Sequence, residues 1–145
     1  MKVRNILATK KGQLITVGPE EPVRRAVRIL VENRIGALLV VDSSGQLVGI
    51  LSERDIMRTA ATDEALFGRP VAEIMTKDVI VGMPQDDVIA VAHTMLEKRF
   101  RHLPIIDEGK LIGIISIGDV LKIQRDAYRG EVDTLETRII AEGEE

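Results

Sequence analysis

Gly49-Ile50-Leu51-Ser52-Glu53-Arg54-Asp55-Ile56 returns in the second half of the chain as Gly113-Ile114-Ile115-Ser116-Ile117-Gly118-Asp119-Val120. Each octet reads as the end of a buried strand, then a hydroxyl, then an acid that opens a helix. The match spreads outward from there. Pro19 aligns with Pro84, Val23 with Val88, Glu32 with Glu97 and Asp42 with Asp107, with one extra residue in the Ser43-Ser44-Gly45 turn. The lead-ins match more loosely, Val3-Arg4-Asn5-Ile6-Leu7 against Val71-Ala72-Glu73-Ile74-Met75. Such self-similarity is a tandem duplication.

Each half carries the same predicted elements. A short apolar strand (Leu14 to Val17; Val79 to Val81) ends at a Gly/Pro break,. A helix follows, with Glu20-Glu21 or Asp86-Asp87 in its first turn, where the helix dipole favours anions,. Val23, Ala26, Val27, Leu30 and Val31 make one apolar stripe; Val88, Val91, Ala92, Met95 and Leu96 make the other,. Two apolar runs across a short turn then read as a β-hairpin, Ala37 to Val41 with Leu47 to Leu51, and Leu103 to Ile106 with Leu111 to Ile115,. The helix opening at Asp55 or Asp119 completes a β-α-β-β-α unit. Two units predict an α/β (α+β) domain with repeats over residues 1–62 and 63–124. A charged helix or tail occupies 125–145, and the polar stretch Thr59 to Pro70 serves as connector. Leu121, Tyr128, Val132, Leu135 and Ile139 give the tail a narrow apolar stripe, which suits a partner surface or a solvated helix equally,.

Composition narrows the function. With 145 residues the chain can bury a real core,. Aromatics are only 2%, so that core is aliphatic and offers few rings for stacking bases,. A formal net charge of −3 gives no basic field for a nucleic acid backbone,. There are no cysteines, which excludes disulfides and thiolate chemistry and fits a reducing, cytoplasmic setting,. The N-terminus lacks a signal peptide's apolar segment, and the longest apolar run, Ile35 to Val41, is far short of the roughly 20 residues a membrane helix needs,.

Gly113 and Gly118 have the spacing of a phosphate-binding loop, but Asp119 and Val120 stand where that loop needs Lys and Ser or Thr,. No Gly-x-Gly-x-x-Gly occurs, so a Rossmann site has no support,. An aspartate can instead accept two hydrogen bonds from a ribose diol, with Ser52 or Ser116 adding a hydroxyl. The plain structural reading is a helix cap, Ser accepting from the backbone and Asp reaching back. The two roles are compatible, and the doubled occurrence favours a pair of sites. His93 and His102 are the only histidines and lack metal-ligand companions,. No Ser-His-acid arrangement is evident. Arg24, Arg25 and Arg28 form a basic helix face that reads as solvated,.

Strand, Gly-apolar-apolar-Ser-x-x-Asp, helix, preceded by apolar-apolar-Pro-apolar-apolar-Asp, resembles the cystathionine-β-synthase (CBS) domain. Two copies, from about Val3 to about Ile123, resemble the paired arrangement often called a Bateman module. The resemblance implies two halves packed with pseudo-two-fold symmetry and clefts for adenine nucleotides: AMP foremost, with ADP, ATP, NAD(H) or S-adenosylmethionine as alternatives. It implies that Asp55 and Asp119 hold ribose hydroxyls beside Ser52 and Ser116. Ile15, Thr16, Val17, Ile80 and Val81 would line the adenine. Gly36, Ala37 and Leu38 in one half, and Arg101, His102, Leu103 and Pro104 in the other, would face the ligand. Arg54 would reach phosphate, and Gly118 would leave room for close approach. Differences between the halves, cations at 101 and 102 against Gly36 and Ala37, imply unequal sites.

The expected function is therefore a non-catalytic sensor of adenine nucleotides with no metal, nucleic acid or membrane partner. Outside the repeats the chain offers only the tail, so the expected reader of the bound state is an effector protein or a second copy of the chain in a homodimer. The alternatives are a dimerisation module with vestigial sites, and a small nucleotide-acting enzyme for which no nucleophile or metal cluster is visible.

Overall fold

The computed structural model describes residues 1–10 and 14–127; the expected charged helix or tail lies, beyond residue 127, outside them. The chain runs α1 (Val3–Thr9), β1 (Thr16–Val17), α2 (Val23–Asn33), β2 (Ala37–Val41), β3 (Leu47–Ser52) and α3 (Glu53–Ala60). After 3-10 turns at Leu66–Gly68 and Val71–Glu73 come α4 (Val88–Lys98), β4 (His102–Asp107), β5 (Lys110–Ser116) and α5 (Ile117–Ala127). β1 pairs parallel with β2, β2 antiparallel with β3, and β4 antiparallel with β5. Both hairpins carry a register shift at the same place in the repeat, Val40/Val41 and Ile105/Ile106.

The predicted strand at 79–81 does not form; only a parallel bridge joins Gly82 to Ile105. The Gly82 amide donates to the Pro104 carbonyl and the Ile106 amide to the Gly82 carbonyl, at 2.9 and 2.8 Å. The next rung back would need an N–H at residue 104, and proline has none. Leu39 holds the matching place in β2 and pairs with Thr16 of β1.

The helices follow their stripes except at the last position of each, for Val31 and Leu96, expected in the stripes, are 71% and 70% exposed. α2 buries Val23, Ala26 and Leu30; α4 buries Val88, Val91 and Met95. The acidic pairs, expected inside the first turn, stand before it. Pro22 is the N-cap of α2, and Asp87 is the N-cap of α4, accepting from the amides of Ile89 and Ala90. A proline that pre-sets the entry to α2, and a carboxylate that satisfies two orphan amides of α4, outcompete placement within the helices.

The halves exchange their lead-ins. One core unites Val3 and Ile6 of α1 with Val88, Val91, Met95, Leu103, Ile105, Ile115 and Val120. The other unites Val17, Val23, Ala26, Leu30, Leu38, Val40 and Leu51 with Leu66 and Val71. The polar connector is thus not a plain linker, for its Leu66 is 1% exposed. Two glycines make the exchange possible. A Cβ on Gly49 would stand 2.5 Å from the Met75 sulfur, and one on Gly113 would stand 2.7 Å from a Leu7 methyl. Met75 and Leu7 are equivalent in the duplication, so each lead-in crosses to press on the other half's hairpin.

Candidate functional site

The crossing brings α1 beside the N-terminus of α5 and opens a cleft of about 830 Å³ between the halves. That volume is within the range of small-molecule sites. Its floor and one wall come from the first half: Ile15, Ile35, Gly36, Ala37 and Leu39. The other wall comes from the second: His102, Gly113, Ile114, Ser116 and Asp119. Leu7 and Lys10 of the first lead-in close it, and Asn33 and Arg34 stand at the end of α2.

Local sequence explains each polar group. Ser116 and Asp119 form a reciprocal cap at the start of α5: the Ser116 amide donates to Asp119 Oδ2 at 2.8 Å, and the Asp119 amide donates to Ser116 Oγ at 3.1 Å,. Lys10 follows α1 directly and extends to the same carboxylate. Its Nζ donates to Asp119 Oδ2 at 2.9 Å and to the Ile114 carbonyl at 2.7 Å. Burial alone would push the Asp119 carboxyl up, but the Lys10 hydrogen bond and the Ser116 amide outweigh it and hold the group below its ordinary value,. His102 sits against Gly36, its ring carbon 3.6 Å from where a Cβ there would be. Burial holds its imidazole below the ordinary pKa, with Lys10 and Arg101 in the same direction and Glu53 and Asp119 opposing.

Asp55, at the matching place in the first half, has different company. It is 6% exposed. Its Oδ2 accepts from the Ser52 amide and hydroxyl at 2.9 and 3.0 Å, and its Oδ1 accepts from the Thr76 hydroxyl at 3.1 Å. Arg58 is 3.8 Å away. Thr76 comes in with the crossing lead-in, whose amide and carbonyl pair with Ile50.

Of the residues singled out from sequence, the cleft gathers Ile15, Gly36, Ala37, His102, Ser116 and Asp119. It joins strand residues of one half to the aspartate of the other. Thr16 is half-buried, while Val17, Leu38, Leu103 and Pro104 are buried. Ile80, Val81 and Leu103 line a separate crevice of about 200 Å³ beside Asp86 and Asp87, and neither Ser52 nor Asp55 lines it. Arg101 is exposed and its carbonyl accepts from the Ile117 amide. Arg54 donates to the Arg99 carbonyl at 3.2 Å, away from the cleft. Gly118 is exposed, and a Cβ there would meet only Ser116 Oγ at 3.5 Å. Lys10 was missed because it lies outside the motif. Its signal was available in the lead-in alignment, where Lys10 falls opposite Asp78 and Ala8 opposite Thr76. Among the described residues no group of three His, Asp or Glu side chains could hold a metal ion, and no helix is long and apolar enough to cross a membrane.

A family model for the CBS domain matches residues 3–62 and 71–126. An uncharacterized 17.7 kDa protein of Acidianus ambivalens is 39% identical over 84% of this chain and 77% of its own length. Some curated relatives are longer: the chain spans 42% of an uncharacterized Methanocaldococcus jannaschii protein and 25% of the inosine-5'-monophosphate dehydrogenase of Aquifex aeolicus. The crystal structure of a CBS-domain containing protein from Agrobacterium tumefaciens superposes with a TM-score of 0.83 at 35% identity, covering 86% of this chain and 99% of that one. The CBSX2 protein, solved in complex with AMP, superposes with a TM-score of 0.76 at 30% identity over 88% and 98%.

Proposed function

This chain belongs to the CBS domain family, and from that premise we propose that it is a non-catalytic regulatory module that binds an adenine nucleotide in the cleft between its two repeats. The observation that carries the reading is the composition of that cleft. An apolar slot of Ile15, Ala37 and Leu39 leads to a carboxylate, Asp119, held ionised at a helix start. A flat purine suits the slot, and a ribose diol suits the carboxylate. The AMP complex of CBSX2, a relative of the same fold, supports the ligand class. AMP is the foremost ligand, with ADP, ATP, NAD(H) and S-adenosylmethionine as competitors for the same space. The module would work in the cytoplasm as a homodimer, and an effector protein would read the bound state.

Binding to the folded state alone must raise its melting temperature, by an amount that grows with ligand concentration. Thermal-shift measurements with AMP, ADP, ATP, NAD, NADH and S-adenosylmethionine test this directly. AMP is expected to raise the midpoint and Asp119→Ala to abolish the rise. A flat response to every compound would remove the sensor reading. A second reading applies to the first half only: the Ser52, Thr76 and Asp55 hydrogen bonds suit a vestigial site there, so one nucleotide per chain is expected.

A further inference from the structure

Among the described residues no lead-in cation reaches Asp55 as Lys10 reaches Asp119, and the duplication says why. Leu7 and Met75 press on equivalent glycines, so Ala8 and Thr76 are equivalent, as are Lys10 and Asp78. At Asp55 the Thr76 hydroxyl completes the carboxylate's partners. At Asp119 an alanine stands in that register, and Lys10, two residues on, donates instead to Oδ2, the oxygen that also accepts from the Ser116 amide. A lysine at that position is a guest at the carboxylate rather than part of the helix cap. Its side chain is 37% exposed and that of Asp119 23%, so both face the cleft mouth. Arg34 and His102 also line the cleft, but neither is paired with the aspartate.

We propose that Lys10 is the specificity-determining residue of the cleft: it occupies Asp119 in the empty protein, and a phosphorylated nucleoside displaces it by offering the ammonium a phosphate in exchange. This rests on the adenine-nucleotide reading given above. The argument is one of exchange. A ribose diol that takes Asp119 Oδ2 must evict an ammonium, which leaves Lys10 only the Ile114 carbonyl. Adenosine offers nothing in return. A nucleotide brings an anion that the flexible lysine stem can follow, as a compact point charge does for phosphate. The ion pair therefore penalises the bare nucleoside and is neutral toward the nucleotide.

Calorimetric titration of AMP and of adenosine into wild type, Lys10→Met and Lys10→Arg tests this. Wild type is expected to prefer AMP over adenosine by roughly tenfold or more, the scale of one hydrogen bond between charged groups. In Lys10→Met that ratio is expected to collapse toward unity, adenosine tightening while AMP holds. Lys10→Arg, which keeps the charge, is expected to restore most of it. If AMP binds wild type and the ratio survives in Lys10→Met, the assignment of Lys10 falls while the nucleotide reading stands. If neither ligand binds wild type, both fall. Should Lys10→Met prove unstable, the wild-type ratio is expected to fall as KCl rises, because only the phosphate-bearing ligand should be salt-sensitive, and AMP and adenosine weakening equally would likewise overturn the assignment.

Discussion

Asp55 and Asp119 hold matching places in the duplication and have opposite surroundings. The first is enclosed by Ser52 and Thr76; the second faces a cleft and an ammonium. The unfolded Asp119 carboxyl titrates near 3.9, the folded one lower. Its contribution to stability is thus fully present above the unfolded value and is lost as pH falls through the folded one. The difference in urea midpoint between wild type and Asp119→Asn is expected to shrink as pH drops from about 6 to about 3; a gap that stays constant would show that the charge is not what stabilises. His102 runs on the same logic at a higher pH. Its folded pKa lies below the unfolded value near 6.5, so the unfolded chain takes up the proton first and stability declines as pH falls through that window,. Wild type should lose more of its urea midpoint than His102→Gln between about pH 7.5 and 5.5.

At the scale of elements, the lead-ins decide how the halves cohere. Leu66 of the connector and Val71 of the second lead-in complete the first half's core, and Val3 and Ile6 of the first lead-in complete the second's. Leu66→Ala is expected to cost about 2–5 kcal/mol, the range for truncating a buried leucine, measured as a shift in denaturant midpoint; a shift no larger than that of an exposed-site control would deny the segment its place in the core. The same exchange explains what could and could not be read from the chain. The repeat, both hairpins and the helix stripes short of Val31 and Leu96 follow from local periodicity, and the structure has them. The missing strand at 79–81 turned on one proline on a neighbouring strand, which no local pattern at 79–81 reveals. The partnership of Ile15 and Ala37 with Asp119 was equally hidden, because the motif repeats within each half whereas the cleft forms across them. Lys10 sits in a lead-in whose destination depends on Gly113 accepting Leu7. Only tertiary packing selects that destination.

At the scale of the whole molecule, four of the apolar residues left in solvent form two pairs that repeat with the duplication. Val31 and Leu96 are equivalent on α2 and α4, and Met57 and Leu121 on α3 and α5; they are 71%, 70%, 73% and 57% exposed. Isolated exposed apolar side chains are ordinary. The same two positions exposed in both halves are harder to attribute to chance, because surface positions free of constraint need not agree in polarity across a duplication. An isologous dimer uses one patch on both copies, and a pseudo-symmetric monomer can offer related patches from each half. We therefore expect the chain to self-associate through these helices. Sedimentation velocity at tens of micromolar should give a dimer for wild type and a monomer for a Met57→Lys, Leu121→Lys double variant. The two substitutions sit on exposed faces, so the variant should keep its melting temperature at low protein concentration. A monomeric wild type, or a dimer that survives both lysines, would mean that the repeated exposure serves another surface or none.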